Sequence, residues 1–287
     1  MFKKMLGIAP QLESDGSFRP SKLAMKLGTS DTTDYEPITF KPYSGAKKKI
    51  LAIFTERKNL EMKNGKQFST GNHPVEALLP MLHLINAGFE FEIATPTGKP
   101  VVLEMWAMPQ KDEHVLGLFK QLKPKFDKPG SLEAFTDASR GSLDDISSYA
   151  AIFIPGGHGA MLDLPENPDV GTILRWALDN GIFTISICHG PAAFLSTTTN
   201  DKKFLYEGYK IAVFPDAVDK QTPLIGYLPG PMPSLVSGKL EALGVTLANK
   251  KADDTCIIDR TVITGASPQA SNNLGALAAK TLLEALN

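Results

Sequence analysis

Apolar residues recur along this chain in two alternating rhythms: short unbroken runs, and stripes at helical spacing. Lys49-Ile50-Leu51-Ala52-Ile53-Phe54 is a nearly continuous apolar run, as expected of a parallel strand covered on both faces. A polar stretch over 55–73 reads as a loop. From Pro74 onward, Val75, Leu78, Leu79, Leu82 and Ile85 share one helical face, with proline suited to the first turn and Ala87-Gly88 to the end. Phe89-Glu90-Phe91-Glu92-Ile93-Ala94 is the next strand. Strand, helix and strand in this order predict a βαβ unit, and so a parallel sheet with a right-handed crossover.

Residues 96–148 break the rhythm. Trp106, Pro109, Pro124, Pro129 and charged helical patches over 111–122 and 131–138 predict an insertion or small lid, too long for an ordinary connection. The rhythm resumes with the strand Ala150-Ala151-Ile152-Phe153-Ile154-Pro155, which runs into Gly156-Gly157-His158-Gly159-Ala160. A helix over 168–180 leads to the strand Ile182–Ile187, which stops at Cys188-His189-Gly190-Pro191. Beyond it the pattern predicts a strand over Tyr209–Phe214, a turn over Pro215–Asp219 and a loop over 221–233. A helix near 234–243, a hairpin from Cys256 to Thr264 and a last helix over 269–285 complete the chain. Residues 1–45 show no period and hold Pro10, Pro20, Pro37 and Pro42, which suggests an irregular arm. The expected organisation is an arm over 1–48 and an α/β domain over 49–287, with a small-domain segment inserted at about 96–148.

Composition narrows the function classes. With 287 residues, 43% hydrophobic and 21% charged, the chain can bury a substantial core. A formal net charge of −1 gives no overall field to steer nucleic acid or an anionic membrane. No apolar run approaches the roughly 18 residues a membrane span needs. Met5–Ala9 is too short for a signal-peptide core, so a cytoplasmic location is expected. Two cysteines, Cys188 and Cys256, are expected as free thiols in a reducing compartment.

The chemistry gathers where strands end, because ligands of alternating α/β sheets bind beyond the carboxyl ends of the strands. Cys188 lies between a strand and a helix start, the arrangement of a nucleophile elbow. A helix N-terminus or a positive partner lowers a thiol's pKa there. His189 is the candidate base and acid. The five histidines are at 73, 83, 114, 158 and 189, so none lies downstream of the elbow. A glutamine amidotransferase would need one there. Either His189 serves Cys188, or a histidine reaches in from an earlier loop. Asp216 or Asp219 would orient the imidazole, and the residues alone leave both open. Gly156-Gly157 can present backbone N–H groups to an oxyanion, and Glu76 could share a proton with the thiolate. HExxH, CxxC, EF-hand, P-loop and GxGxxG patterns are absent from the sequence, so no metal and no cofactor are expected.

Ala151–Ala160 and Cys188-His189-Gly190-Pro191-Ala192-Ala193-Phe194-Leu195 closely resemble the ThiJ/PfpI superfamily. Ser69–Glu76, Glu104-Met105-Trp106-Ala107-Met108-Pro109 and Phe214–Pro223 narrow the resemblance to its HchA-type branch. The resemblance implies a flavodoxin-like three-layer α/β sandwich with a mostly parallel sheet, a small extra domain and a homodimer. It implies a glutathione-independent glyoxalase III that converts methylglyoxal to lactate, a deglycase of glycated proteins and nucleotides, and a holding chaperone for unfolded clients. By matching motifs, the triad falls on Cys188, His189 and Asp219, the acidic partner on Glu76, and the oxyanion site on Gly157 and the backbone of His189. Some members of the branch hold a metal through two histidines and a glutamate. The glutamate matches Glu90, but Ile85 and Leu122 stand at the histidine positions, so no such site is expected. The remaining alternative is a cysteine peptidase or amidase.

Overall fold

The computed structural model describes residues 6–137 and 148–286; the parts of the arm and of the 96–148 segment at 1–5 and 138–147 lie outside the described residues. The arm carries β1 (Gln11–Leu12), β2 (Phe18–Arg19) and helix α1 (Lys22–Gly28). Then come β3 (Lys49–Ile53), β4 (Leu60–Glu61), β5 (Gln67–Phe68), α2 (Pro74–Asn86), β6 (Glu90–Thr95), α3 (Glu113–Asp127) and β7 (Gly130–Ser131). The middle of the chain supplies β8 (Tyr149–Ile154), α4 (Pro168–Asp179), β9 (Phe183–Ile187) and β10 (Lys210–Ile211). The last part adds α5 (Asp216–Gln221), α6 (Ser237–Ala242), β11 (Thr246–Leu247), β12 (Cys256–Asp259), β13 (Val262–Gly265) and α7 (Ser271–Leu286).

Seven strands form the main sheet in the order β12-β13-β9-β8-β3-β6-β7. All neighbours are parallel except the β12–β13 hairpin. β3 shows why its run is apolar throughout. Ile50, Ala52 and Phe54 pack on one face with α2, α3 and α7, while Leu51 and Ile53 pack on the other with α4 and the segment after β9. This is the expected mostly parallel three-layer sandwich. β9 lies inside the sheet between β8 and β13, so the turn at its carboxyl end emerges at mid-sheet.

Several local expectations change. The 55–73 stretch is not simply loop: β4 and β5 join β1 and β2 in a second sheet of order β1-β2-β5-β4. Phe18 pairs with Phe68, a partner distant in sequence, and strands of two residues leave no period to read. The small sheet is therefore built from the arm and from 60–68, whereas 113–131 adds α3 to one layer of the sandwich and β7 to an edge of the main sheet. The strand expected over Tyr209–Phe214 shrinks to β10, paired only with β11 outside the main sheet. Side chains take the place of a ladder here: Ala212 N–H donates to Thr264 Oγ1 and Val213 N–H to Asn249 Oδ1. The segment after the elbow, Gly190–Asp201, is a 3-10 helix with a break at Thr199 and Asn200. Ser196, Thr197, Thr198 and Thr199 each return a hydroxyl to the carbonyl three residues back, which suits that tighter turn.

Helices α2 and α7 meet at Gly275. A methyl placed there would lie 2.7 Å from Pro80 Cα and 2.7 Å from His83 Cδ2. Helix propensity alone would make Gly→Ala stabilising by up to about 1 kcal/mol. The contact with backbone reverses the sign: Gly275→Ala is expected to lower stability by about 1–3 kcal/mol through overpacking, read as a lower urea midpoint with an unchanged m-value.

Candidate active site

Cys188 comes directly after the last residue of β9 and has φ +58°, a left-handed conformation that a residue other than glycine adopts at a cost. Its N–H donates to Gly265 O and its carbonyl accepts from Phe214 N–H, both at 2.9 Å, so the strand's neighbours hold the turn. The strain lifts the side chain off the sheet into a cavity of about 310 Å³. His73, Glu76, Glu104, Gly157, His158 and His189 share its wall, and Ala24 and Leu27 of α1 close it from the arm. The arm is thus part of the site.

His189 Nδ1 lies 3.3 Å from the Cys188 sulfur, and its Nε2 lies 2.9 Å from Asp219 Oδ2. Asp219 is 1% exposed and stands in the first turn of α5, where a simple turn was expected. Burial alone would raise its pKa, but the imidazoles of His189 and His158 hold the carboxyl well below the usual range. An ionised carboxylate only accepts, so each histidine must present N–H at Nε2. His189 then has its Nδ1 lone pair facing the thiol, the form a base needs. Of the two aspartates left open, it is Asp219 that meets His189. Asp216 accepts from Ser237 N–H and Gly238 N–H at the start of α6 and does not enter the site.

Glu76, in the first turn of α2, is 1% exposed. No well-formed hydrogen bond reaches either of its oxygens; the Cys188 thiol and the Gly157 N–H are its polar neighbours. Burial raises its pKa well above the carboxylate range. Burial also pushes the Cys188 thiol up, and the adjacent Glu76 charge adds to this. Burial thus disfavours the charged form of both groups.

The glycine turn is shaped by contact. Gly156 tolerates no side chain, because a methyl would fall 2.1 Å from Glu76 Oε2 and 2.8 Å from Cys188 Cβ. Gly157 has φ +98°, and a methyl there would fall 2.4 Å from Gly71 O. The turn is stitched to the Ser69–Glu76 segment through His73 N–H to Gly156 O at 3.0 Å and Gly159 N–H to Gly71 O at 3.0 Å. Asn72 fixes that segment to the end of β3: it accepts from Thr55 N–H and donates to Thr55 O and Val102 O. The Gly157 N–H faces the Glu76 carboxyl, and the His189 N–H faces the thiol.

Four residues of the site were not singled out as site residues from the sequence. His158 donates Nε2–H to Asp219 Oδ1 at 3.0 Å and stacks over His189 with centroids 4.0 Å apart. Its signal was present, inside the glycine turn itself. Burial, with His158 and His189 nearby, pushes His73 down to about 3. Glu104 and Tyr227 also line the cavity, and no spacing rule links them to Cys188. His158, His189 and Asp219 bring three ligand atoms within 4.8 Å of one another, the one group of that kind among the described residues. Both ring nitrogens spend their N–H on the Asp219 oxygens, so the trio is arranged as hydrogen bonds rather than as lone pairs converging on an ion. Among the described residues, no helix is long and apolar enough to cross a membrane. Both cysteines are free.

Residues 68–204 match the DJ-1/PfpI family. Over 279 residues the chain is 47% identical to the protein/nucleic acid deglycase HchA of Escherichia coli O1:K1, covering 96% of each. The same protein of Escherichia coli O157:H7 is also 47% identical over 279 residues, again covering 96% of each. Among solved structures, the rapid encystment protein of 24 kDa from Francisella tularensis superposes with TM-score 0.68 at 20% identity, covering 82% of this chain and 99% of that one. Glyoxalase III from Candida albicans superposes with TM-score 0.60 at 24% identity, covering 82% and 98%. At those identities the two structures speak for the fold. With the glycine turn, the thiol elbow and the Glu76 segment all inside the matched region, and close identity along nearly its whole length to the HchA proteins, this chain belongs to the DJ-1/PfpI family.

Proposed function

We propose that the protein is a cysteine-dependent glyoxalase III and deglycase, acting on methylglyoxal and on glyoxal- or methylglyoxal-modified amines of proteins and nucleotides without glutathione. The observation that carries this is the buried chain Cys188–His189–Asp219 beside Glu76 at the floor of a small cavity. Likeness to known proteins agrees, since the relatives at 47% identity are named protein/nucleic acid deglycases.

The sulfur attacks the aldehyde carbon of methylglyoxal as its proton passes to His189 Nδ1. The carbonyl oxygen becomes an alkoxide at the N–H groups of Gly157 and His189, then a hydroxyl, giving a hemithioacetal. Glu76 or His189 next removes the hydrogen from the sulfur-bearing carbon, and the electron pair forms an enediolate with the neighbouring carbon. Return of that proton to the neighbouring carbon, with the hydroxyl proton moving to its oxygen, leaves a lactoyl thioester. One carbon is oxidised and the other reduced, so no external oxidant and no cofactor enter. Water then cleaves the thioester to lactate and the free thiol. On a glycated amine the sulfur attacks the hemiaminal carbon. The C–S bond forms, the C–N bond breaks, and the amine leaves with a proton. A cavity of about 310 Å³ suits such small groups better than the extended peptide of a cysteine peptidase. An active thiol must stay reduced, which fits the cytoplasm.

A second reading, binding of unfolded clients, is favoured by exposed apolar side chains on the arm: Leu12 and Leu27 are each 67% exposed.

Purified protein given methylglyoxal and no glutathione is expected to yield lactate, and Cys188→Ala to yield none. Full activity in that variant would sink the mechanism. Suppression of client aggregation is expected to survive in Cys188→Ala, since it draws on exposed apolar side chains and not on the thiol. Asp219→Asn is expected to cut kcat by about 10³–10⁴, because the amide no longer enforces the N–H at His189 Nε2. Asp216→Ala is expected to leave kcat within about threefold and to cost about 1 kcal/mol of stability from the lost cap on α6, measured by urea unfolding.

A further inference from the structure

One carboxyl of the cavity is idle in the proposed chemistry. Glu104 is 2% exposed and stands on the wall with Gly157, His158 and Cys188. Its Oε1 accepts the Thr70 hydroxyl at 2.5 Å. Its Oε2 is buried and has no hydrogen-bond partner. A buried polar atom left unpaired is costly, and such atoms point to something that comes and goes. Because Thr70 donates to Oε1, a proton on this carboxyl goes to Oε2. Burial favours that proton, pushing the pKa up to about 7 against the opposing pull of His158, Thr70 and the nearby Gly71 N–H. The titratable groups around it are His158, Glu76 and the Tyr227 phenol, and none of them fills Oε2.

We infer that Glu104 donates a hydrogen bond from Oε2 to the second oxygen of a vicinal dicarbonyl whose first carbon is bonded to the Cys188 sulfur. The assignment rests on the glyoxalase reaction and adds the feature that its substrate must carry: an oxygen on the carbon next to the one attacked. When hydrogen leaves the sulfur-bearing carbon, the π pair of the neighbouring carbonyl moves onto that oxygen. The Oε2–H meets the new charge in a site where it needs no rearrangement. A simple aldehyde reaches the thiol but leaves Glu104 unpaired. Sites that reject a substrate this way discriminate strongly.

The test compares methylglyoxal with propanal as protectants of Cys188 against iodoacetamide, read as the mass of the Cys188 peptide in wild type, Glu104→Leu and Glu104→Gln. Each aldehyde's own reactivity cancels when variant is compared with wild type. Glu104→Leu is expected to raise the half-protecting concentration of methylglyoxal about tenfold relative to propanal, the worth of one buried hydrogen bond. Glu104→Gln, which still offers an N–H, is expected to recover most of the preference. The alkylation rate without aldehyde should stay within about threefold, as a group that meets substrate and not thiol requires. Glu104→Ala gives the same readout should leucine not be accommodated. An unchanged methylglyoxal-to-propanal ratio, or a fall in unprotected alkylation that accounts for the change, overturns the assignment. Lactate measured in the same samples separates the two claims. No lactate from wild type, with a Glu104-dependent preference intact, sinks the reaction and leaves the hydrogen bond standing. Lactate without the preference sinks the hydrogen bond alone.

Discussion

Asp219 is a negative charge with almost no access to water, and the arrangement of the site comes from keeping it there. A buried carboxylate is tolerable only when paired and hydrogen-bonded. Two imidazoles meet that need, one on each oxygen. Their pairing stacks the rings over each other and sets the tautomer of both. His189 thereby turns its Nδ1 toward the Cys188 sulfur. His158 is made its twin, with the same tautomer, on the cavity wall. The stored cost of the charge becomes orientation, which is what a proton-transfer site needs.

The second constraint is closeness. Glycines at 156 and 157 allow the backbone to run against Glu76, Cys188 and the 71–73 segment, where a single methyl would collide. This crowding buries Glu76 and the thiol, and burial disfavours the charged form of each. The arm contributes to the same enclosure, since Ala24 and Leu27 of α1 line the cavity.

Much of this was legible in the residues. The run at 49–54 showed a strand covered on two faces, and the stripe from Val75 to Ile85 showed its crossover helix. The elbow at Cys188 and the glycine turn at 156–157 were readable because strand ends, glycine and a nucleophile fall together. The small sheet was not readable, because two-residue strands such as β2 and β5 carry no period and are paired through distant contacts. The 209–214 stretch looked like a strand of the main sheet, yet Thr264 and Asn249 side chains take the bonds a neighbour's backbone would have taken. Composition cannot announce such a substitution.

The layered α/β class, the thiol at the elbow and the histidine beside it follow from the residues alone, because these depend on neighbours within a few residues. Asp216 and Asp219 have like local contexts, and it is the packing of distant segments that separates them, sending one to cap α6 and the other behind His189. It alone revealed His158 sharing that carboxylate, and Glu104 and His73 in the same wall. The physical reason is distance along the chain. Hydrogen-bond partners separated by tens of residues meet through strand register and sheet twist, which no short window of sequence encodes.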